Sequence, residues 1–569
     1  MSFVISNRTF SKAQKEHDIY YRSKDNYYNS GGVLAFCATN AYGARLQKFV
    51  ECIGEIVKKP GIANKISDRD FYLVVKYSVN ENKLYIQTDF IGSHTCYLYQ
   101  EDGFFFISNN LVEMIKDIQS TGRKVYLDER ETRKFVYAGY NYTEKTIFKN
   151  ITIVPPATNV VISITDGMVN SLQYEDYRFK GEINSEEEAA SRLYGAIDLV
   201  FADNYSNNTK YGLGVSGGLD SRVAGYFANK HNYKIVPYFL GREKNALGIR
   251  TNDACRSIEV ADALGIGDVA FINNTGFEYK KRLIGDALHA PIGSPNVAQN
   301  IGYDWKNFDV LIHGMMGGEL FGGISFLQRK DPMDAHDIAA MYLNSLNCVP
   351  KSTAKYSIHG KIFNQLPVIK ERYHFNQLNQ IITDDISQEL EDEIERIIKR
   401  DLDNGLSQTN ALFKLFLYKQ SKNVITGYYS TIEGTVPSLG VYFNPVVLSE
   451  MTNWSDDLFY ERKVQKSLIN MCGSISEVRD QTMKSSISNG YQNRNNYFNI
   501  AERVIRGSGM YYDTYPLTSF DETLKELETT KTVQLFKIDY RTIMLSKSTI
   551  SDLILKIAWL EKELSLEYI

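Results

Sequence analysis

Tyr211-Gly-Leu-Gly-Val-Ser-Gly-Gly-Leu-Asp-Ser-Arg222 reads as a short apolar strand that turns through Ser216-Gly217-Gly218 straight into a helix. Two adjacent glycines let backbone N–H groups approach an anion with no Cβ in the way, and a helix beginning near Leu219 adds unpaired donors and the positive end of its dipole. Ser216 and Ser221 add hydroxyls, and Asp220 has the chemistry to hold Mg²⁺ beside phosphates. A lone Gly-Gly before a helix is as a rule only a tight turn. What lifts this one is the full order Ser-Gly-Gly-Leu-Asp-Ser, followed by Val223, Ala224, Phe227 and Ala228, which give the helix a face to bury. The Gly-Lys-Ser/Thr ending of a P-loop is absent, which disfavours kinase or GTPase chemistry.

Outward from this loop, 569 residues are too many for one ordinary core, so two or three domains are expected, and the 43% hydrophobic content can fill them. Lys plus Arg (64) nearly balance Asp plus Glu (68), so no bulk charge recruits nucleic acid or an anionic membrane. Six cysteines, at 37, 52, 96, 255, 348 and 472, show neither CxxC nor Cys/His spacing. That suits a reducing cytoplasm with mostly buried thiols and argues against structural zinc. No signal-peptide core and no apolar run of about 18 residues occurs, so a cytoplasmic location without a membrane span is expected.

The chain changes texture once. Up to about residue 180, short alternating runs broken by turn signals read as antiparallel strands: Phe71–Ser78, Lys83–Asp89, Thr95–Gln100, Gly103–Ser108 and Asn159–Ile164, with a hairpin at Asn80-Glu-Asn-Lys83. Ser185 followed by Glu188 then predicts a capped helix running towards Phe201. Strand-like Lys234–Leu240, Val269–Ile272 and Asp309–His313 alternate with helical runs such as Ala254–Leu264, the pattern of a parallel α/β sheet. Beyond about residue 330 the chain reads as mostly helical, including Ser387–Asp403 and Thr549–Leu564. The charge-rich Glu389-Leu-Glu-Asp-Glu-Ile-Glu-Arg396 is expected to be a solvated helix face.

The opening segment resembles the pyrophosphate loop of ATP pyrophosphatases, which cleave ATP between its α and β phosphates. Upstream, Asp89-Phe-Ile-Gly-Ser-His-Thr-Cys-Tyr-Leu-Tyr99 is similar to an Asp-x-x-Gly-x-x-x-x-Tyr strand-turn-strand, and Lys145–Ile151 followed by Pro155-Pro156 is similar to a closing segment. In this order the motifs resemble the asparagine synthetase family in its broad sense, which includes β-lactam synthetases, lasso-peptide cyclases and capsule or O-antigen amide ligases. The resemblance implies α/β plus α+β architecture in two parts. Residues 1–180 would form a glutaminase-like Ntn-type antiparallel β sandwich with helices. Residues 181–569 would form an ATP-pyrophosphatase domain, adenine nucleotide α hydrolase-like, with a parallel sheet, many helices and a helical insertion near 325–410. The family's glutaminase nucleophile is a cysteine at position 2; here that position is Ser2, equally a common residue that permits removal of Met1. The first domain is therefore expected to be inactive, and the amine to come from a substrate or from free ammonia.

The resemblance carries over residue by residue. Ser216, Gly217, Gly218, Asp220 and Ser221 match the pyrophosphate loop, and Asp220 falls on its metal-binding aspartate. His313-Gly-Met-Met-Gly-Gly-Glu-Leu-Phe-Gly-Gly323 matches Ser-Gly-x-Gly-x-Asp-Glu-Leu-Phe-Gly-Gly, which places Gly314 at the nucleotide. Gly318 stands where the family's metal aspartate stands, and Glu319 matches the next acidic residue, expected either to reach the metal or only to brace the loop. Tyr460–Lys466 and Glu477–Lys484 are similar to a lysine-bearing helix and a later Arg-Pro-Lys motif, which nominates Lys484 to stabilise leaving pyrophosphate and a later oxyanion, and Lys463 to meet phosphates. The alternative is that both are solvated surface lysines, against which order and spacing favour Lys484. Glu433 is nominated to deprotonate the amine, against the alternative of a helix-end salt bridge; the tyrosine that completes such a dyad in β-lactam synthetases falls on Met315. Val441–Leu448 looks like a degenerate Pro-Phe-Leu-Asp segment with Asn444 at the aspartate.

The resemblance therefore implies an ATP- and Mg²⁺-dependent ligase joining a substrate carboxylate (peptide, sugar acid or amino acid) to an amine, with no nucleic-acid partner and with homo-oligomerisation left open. The alternative is a nucleotide-binding or scaffold protein of the same fold that has lost turnover, motivated by Ser2, Gly318 and Met315 together.

Overall fold

The computed structural model describes residues 3–16, 18–23, 27–30, 33–39, 53, 71–139, 141–173, 180–241, 243–244, 247–272, 305, 307–323, 332–345, 384–421, 436–473, 475, 517–536 and 549–569. Its first half holds two antiparallel sheets of six strands each. One runs in the order Ile151–Ile153, Tyr97–Glu101, Phe104–Ser108, Phe3–Ser6, Ile19–Ser23, Gln14–Glu16. The other runs Val169–Gln173, Thr158–Ser163, Lys83–Thr88, Tyr72–Ser78, Val33–Thr39, Tyr27–Ser30. The pleat sorts the side chains of the first sheet into two cores. Phe3, Ile5, Phe105 and Ile107 meet Leu34, Phe36, Val75 and Ile86 of the second sheet to fill a sandwich. Val4, Phe104 and Phe106, one residue out of phase, face the helices Leu111–Ser120 and Glu129–Ala138.

That helix-covered core also takes in the end of the chain. Leu553, Ile557 and Leu560 of the helix Thr549–Glu563 are buried in it, and Glu567–Tyr568 pairs in parallel with Tyr126–Leu127. The turn that prompted the strand-turn-strand reading has a mechanical basis. Buried Asp89 accepts N–H bonds from Tyr72, Ile91 and Ser93, while Gly92 takes the left-handed conformation at φ 59°.

The second half is built on five parallel strands in the order Ala270–Ile272, Lys234–Leu240, Lys210–Gly214, Val310–His313, Ser438–Gly440. From Lys210–Gly214 the chain winds first towards one edge and then, beginning at Val310–His313, towards the other. The boundary between those two strands is the switch point of the sheet, where an open α/β fold leaves a crevice beyond the strand C-termini. Helix Glu186–Asp203 starts as the sequence predicts, with Ser185 accepting the Glu188 N–H at 3.2 Å. The helices Leu219–Lys230 and Asn252–Leu264 follow their strands. Ser438–Gly440 and the strands before residue 40 are not named from the sequence: all but Val33–Thr39 are short, and Val33-Leu-Ala-Phe-Cys-Ala38 is a continuous apolar run rather than an alternating one.

The halves share one continuous core, in which Phe71 meets Phe443 with ring centroids 5.3 Å apart and Tyr142 meets Tyr342 at 6.0 Å. Here one expectation is corrected. Asp392 and Arg396 on helix Asp384–Asp403 do face solvent, but Glu393 is buried and Glu389 only partly exposed; together with Glu131 these two surround the buried ammonium of Lys134, with Glu389 at 3.1 Å and Glu393 and Glu131 each at 2.8 Å. A helix read alone shows its charges but not the neighbour that buries them. Of the described cysteines, Cys96 and Cys472 are buried, and Cys37, Cys96, Cys255 and Cys472 are all free thiols. No helix among the described residues is long and apolar enough to cross a membrane.

Candidate active site

Both glycine-rich motifs leave the sheet at the switch point and close on one side chain, Asp220. Strand Lys210–Gly214 passes through Val215 and Ser216 to Gly218, whose extended backbone (φ −77°, ψ 159°) caps the helix Leu219–Lys230 with no side-chain hydrogen bond. The first-turn N–H groups therefore face the crevice without a capping oxygen. The two serines brace this loop internally. Ser216 N–H donates to Ser221 Oγ at 3.1 Å, Ser221 Oγ donates to the Ser216 carbonyl at 2.9 Å, and Gly218 N–H donates to Ser216 Oγ at 3.2 Å. Buried Arg222 reaches back to the Gly217 carbonyl at 2.9 Å. Gly217 lies against Arg256: a Cβ there would sit 2.9 Å from that residue's Cβ.

From the neighbouring strand, His313 leads into Gly314-Met-Met-Gly-Gly-Glu319. Burial pushes the His313 imidazole down to about 3, so it is neutral at ordinary pH. The glycines of this loop are dictated by contact. A Cβ at Gly314 would fall 2.9 Å from the Asp220 carbonyl, and one at Gly317 would fall 2.7 Å from the Asp220 carboxylate carbon and 2.7 Å from the Tyr442 ring. Real Cβ contacts do not come so close, so only glycine lets the two loops meet.

The result is a tightly held acid. Gly318 N–H donates to Asp220 Oδ2 at 2.9 Å, the Gln465 side-chain amide donates to Oδ1, and the buried Tyr442 hydroxyl donates to the Asp220 carbonyl at 3.1 Å. Burial, and then the charge of nearby Glu319, push the Asp220 carboxyl up to about 6, against the pull of Gly318 N–H, Gln465 and Arg462. Glu319 itself is exposed at the start of a π-helical turn, Glu319–Gly323. Gln465 is fully buried, and its amide oxygen has no hydrogen-bond donor among the described residues.

These groups suit Mg²⁺ chemically. A hard cation wants several oxygens, and the crevice offers a carboxylate with lone pairs left over, an orphaned amide oxygen on the same side chain that holds it, and a second carboxylate whose repulsion is felt at the first. Asp220, Gln465 and Glu319 are the residues that would hold such an ion.

The structure thus brings together Ser216, Gly217, Gly218, Asp220, Ser221, Gly314 and, by charge, Glu319. Lys463 opens the helix Lys463–Met471, but its ammonium makes no ion pair among the described residues; it is Gln465, two residues on, that reaches Asp220. Asn444, nominated at a degenerate aspartate, caps the helix Pro445–Met451 by accepting the Val446 N–H at 3.1 Å. Ser2, Glu433 and Lys484 lie outside the described residues.

Sequence reasoning missed Gln465, Tyr442, Arg462 and Arg256. For Gln465 a signal was present: it precedes Leu468, Ile469 and Cys472 at i+3, i+4 and i+7, the buried stripe of its helix. A polar residue in that stripe needs a partner, and Lys463 and Lys466 lie off it.

The described residues define a β sandwich joined to an open parallel α/β sheet whose switch-point crevice is walled by two glycine loops around a half-buried aspartate. No protein-family model matches the sequence, and no curated protein does. Among solved structures 36 chains match. One is a glutamine phosphoribosylpyrophosphate amidotransferase from B. subtilis complexed with ADP and GMP, 7% identical over 48% of this chain and 84% of that one, with a TM-score of 0.20. A second, the allosteric regulatory enzyme of purine biosynthesis, is 11% identical over 50% of this chain and 70% of that one, with a TM-score of 0.18.

Proposed function

We propose that the chain is an ATP-dependent ligase that joins a carboxylate to an amine. In this reading a carboxylate oxygen of the substrate attacks the α-phosphorus of ATP, the bond to the β-phosphate oxygen breaks, and pyrophosphate leaves. The amine nitrogen then adds to the acyl carbon of the adenylate, loses a proton, and expels AMP. Such chemistry asks the protein mainly for positioning and for charge stabilisation on the departing phosphates. The crevice offers the parts for it: the uncapped first turn of the helix Leu219–Lys230, a second glycine loop from the adjacent strand, and oxygen donors for a cation whose role, when bound, is to neutralise phosphate charge. Lys463, Lys484 and Glu433 remain the proposed phosphate, oxyanion and amine-facing groups. The acid is a peptide carboxylate, a sugar acid or an amino acid.

The observation that carries the reading is the convergence of both loops on Asp220, where glycine is sterically required at 314 and 317. A carboxylate held only for stability would not need two chain segments stripped of side chains around it. Calorimetric titration with MgATP, followed by pyrophosphate release assays over panels of uronates, amino acids and peptide acids, tests it. Wild type is expected to bind MgATP, and Asp220→Asn to lose roughly 10²-fold in turnover while folding normally. A wild-type protein that binds no nucleotide sinks the proposal.

A further inference from the structure

We propose that Arg462 is a phosphate-binding residue of the crevice, giving part of the nucleotide's charge neutralisation from the chain itself. This rests on reading the crevice as a nucleotide site. Arg462 is the residue just before the helix Lys463–Met471, and both it and Glu461 adopt left-handed backbone, at φ 55° and 57°. Neither is glycine or asparagine, so two consecutive residues stand in a conformation that costs roughly 1–2 kcal/mol each. The bend projects the guanidinium across the second glycine loop. A Cβ on Gly318 would lie 2.9 Å from Arg462 Nη2, 3.1 Å from Cζ and 3.3 Å from Nη1, so glycine at 318 is what leaves the guanidinium its place.

The charge of Arg462 is felt at Asp220 but is not spent in a direct ion pair. No carboxylate ion-pairs with it among the described residues, and both oxygens of Asp220 already accept other donors, Gly318 N–H and Gln465. Buried or half-buried arginines as a rule have their donors committed. This one keeps a planar fork of donors beside Gly318, whose N–H holds Asp220 in the first turn of the helix Leu219–Lys230, and that fork matches phosphate oxygens two at a time. The partner is therefore a phosphate or pyrophosphate group, held in part without a metal.

The test measures ATP and pyrophosphate binding in excess EDTA and in Mg²⁺. Arg462→Asn removes the charge while asparagine tolerates the left-handed backbone. It is expected to weaken ATP binding in EDTA by roughly 10- to 100-fold, the span of one to two charge-assisted hydrogen bonds. Gly318→Asp, which places a carboxylate against the guanidinium, is expected to weaken it similarly, and the double variant to be no weaker than either alone. Arg462→Lys keeps the charge but not the fork and is expected to lose roughly 3- to 10-fold; it decides the matter should Arg462→Asn not fold. ATP affinity in EDTA that neither variant changes overturns the role of Arg462 and leaves the ligase reading standing. A wild type that binds ATP in neither condition overturns the ligase reading as well.

Discussion

Two places in this molecule bring acidic side chains together, and they do it in opposite ways. At the join of the two halves, Glu131, Glu389 and Glu393 surround Lys134, whose side chain is only 4% exposed. Burial works to strip the lysine's proton, but hydrogen bonds to Glu131 and Glu393 outweigh it and hold the ammonium above its ordinary range. These three carboxylates lie close enough together to ligate an ion. The chain has filled the position itself. At the switch point the balance is reversed: Asp220 and Glu319 repel one another, and glycines take the positions where side chains would otherwise close the space. A cluster that supplies its own counter-ion is a fastener, whereas the crevice proposed as a nucleotide site keeps its charge facing a cleared space.

The largest expected effect attacks the fastener. Lys134→Met leaves the buried Glu131 and Glu393 and the half-buried Glu389 about an apolar tip, and breaking a buried pair by removing one partner costs about 3–5 kcal/mol. Chemical unfolding should show that loss, with added divalent cations failing to restore it. If Mg²⁺ or Zn²⁺ restores wild-type stability to the variant, the cluster can act as a metal site and the contrast with the crevice falls.

How much of this contrast is legible in the sequence differs between the two places. The crevice is largely legible, because its loops are local: Ser216 to Ser221 and His313 to Gly323 each carry their glycines in one short stretch. The parallel sheet beneath them also shows in the alternation of apolar strands with helical runs. The fastener is illegible, because Lys134 and Glu389 are separated by 255 residues and meet only through tertiary structure. The same is true at the crevice wherever a third segment enters. Gln465 could be suspected from its place on a buried stripe, but Arg462 owes its position to a left-handed bend that neither Glu461 nor Arg462 announces. The join between Thr549–Glu563 and the sandwich is likewise invisible to patterning, which finds the helix but not its neighbour.

A middle-sized effect separates the glycines of one loop. Gly317→Ala drives a methyl group to 2.7 Å from a carboxylate that two donors pin and from a fully buried tyrosine ring. Neither can retreat cheaply, so a loss of about 1–3 kcal/mol is expected, together with failure to bind nucleotide. Gly318→Ala meets only the end of the Arg462 side chain, which can swing away, and should fold within about 0.5 kcal/mol of wild type. Thermal unfolding of the two variants side by side checks this. Equal losses would mean that the loop tolerates no side chain anywhere and that the cleared space is a matter of backbone fit alone.

The smallest effect is a pH dependence, and its sign distinguishes fastener from crevice. Glu389 is pulled below the ordinary glutamate range: burial works to raise it, but hydrogen bonds from Lys134 and Arg130 outweigh that. A carboxyl depressed in the folded state binds fewer protons there than in the unfolded chain. Its contribution is therefore complete above the ordinary glutamate value and is lost as pH falls through the lower, folded one. Glu389 is 27% exposed, so solvent screens the pair and the contribution is expected to stay under about 1 kcal/mol. Glu389→Gln should accordingly lower the unfolding midpoint slightly near neutrality, with the gap to wild type closing as the solution is acidified below about pH 4. A gap that widened on acidification would mean that Glu389 is held protonated in the fold, as a carboxyl without a counter-ion would be, and the fastener would then resemble the crevice after all.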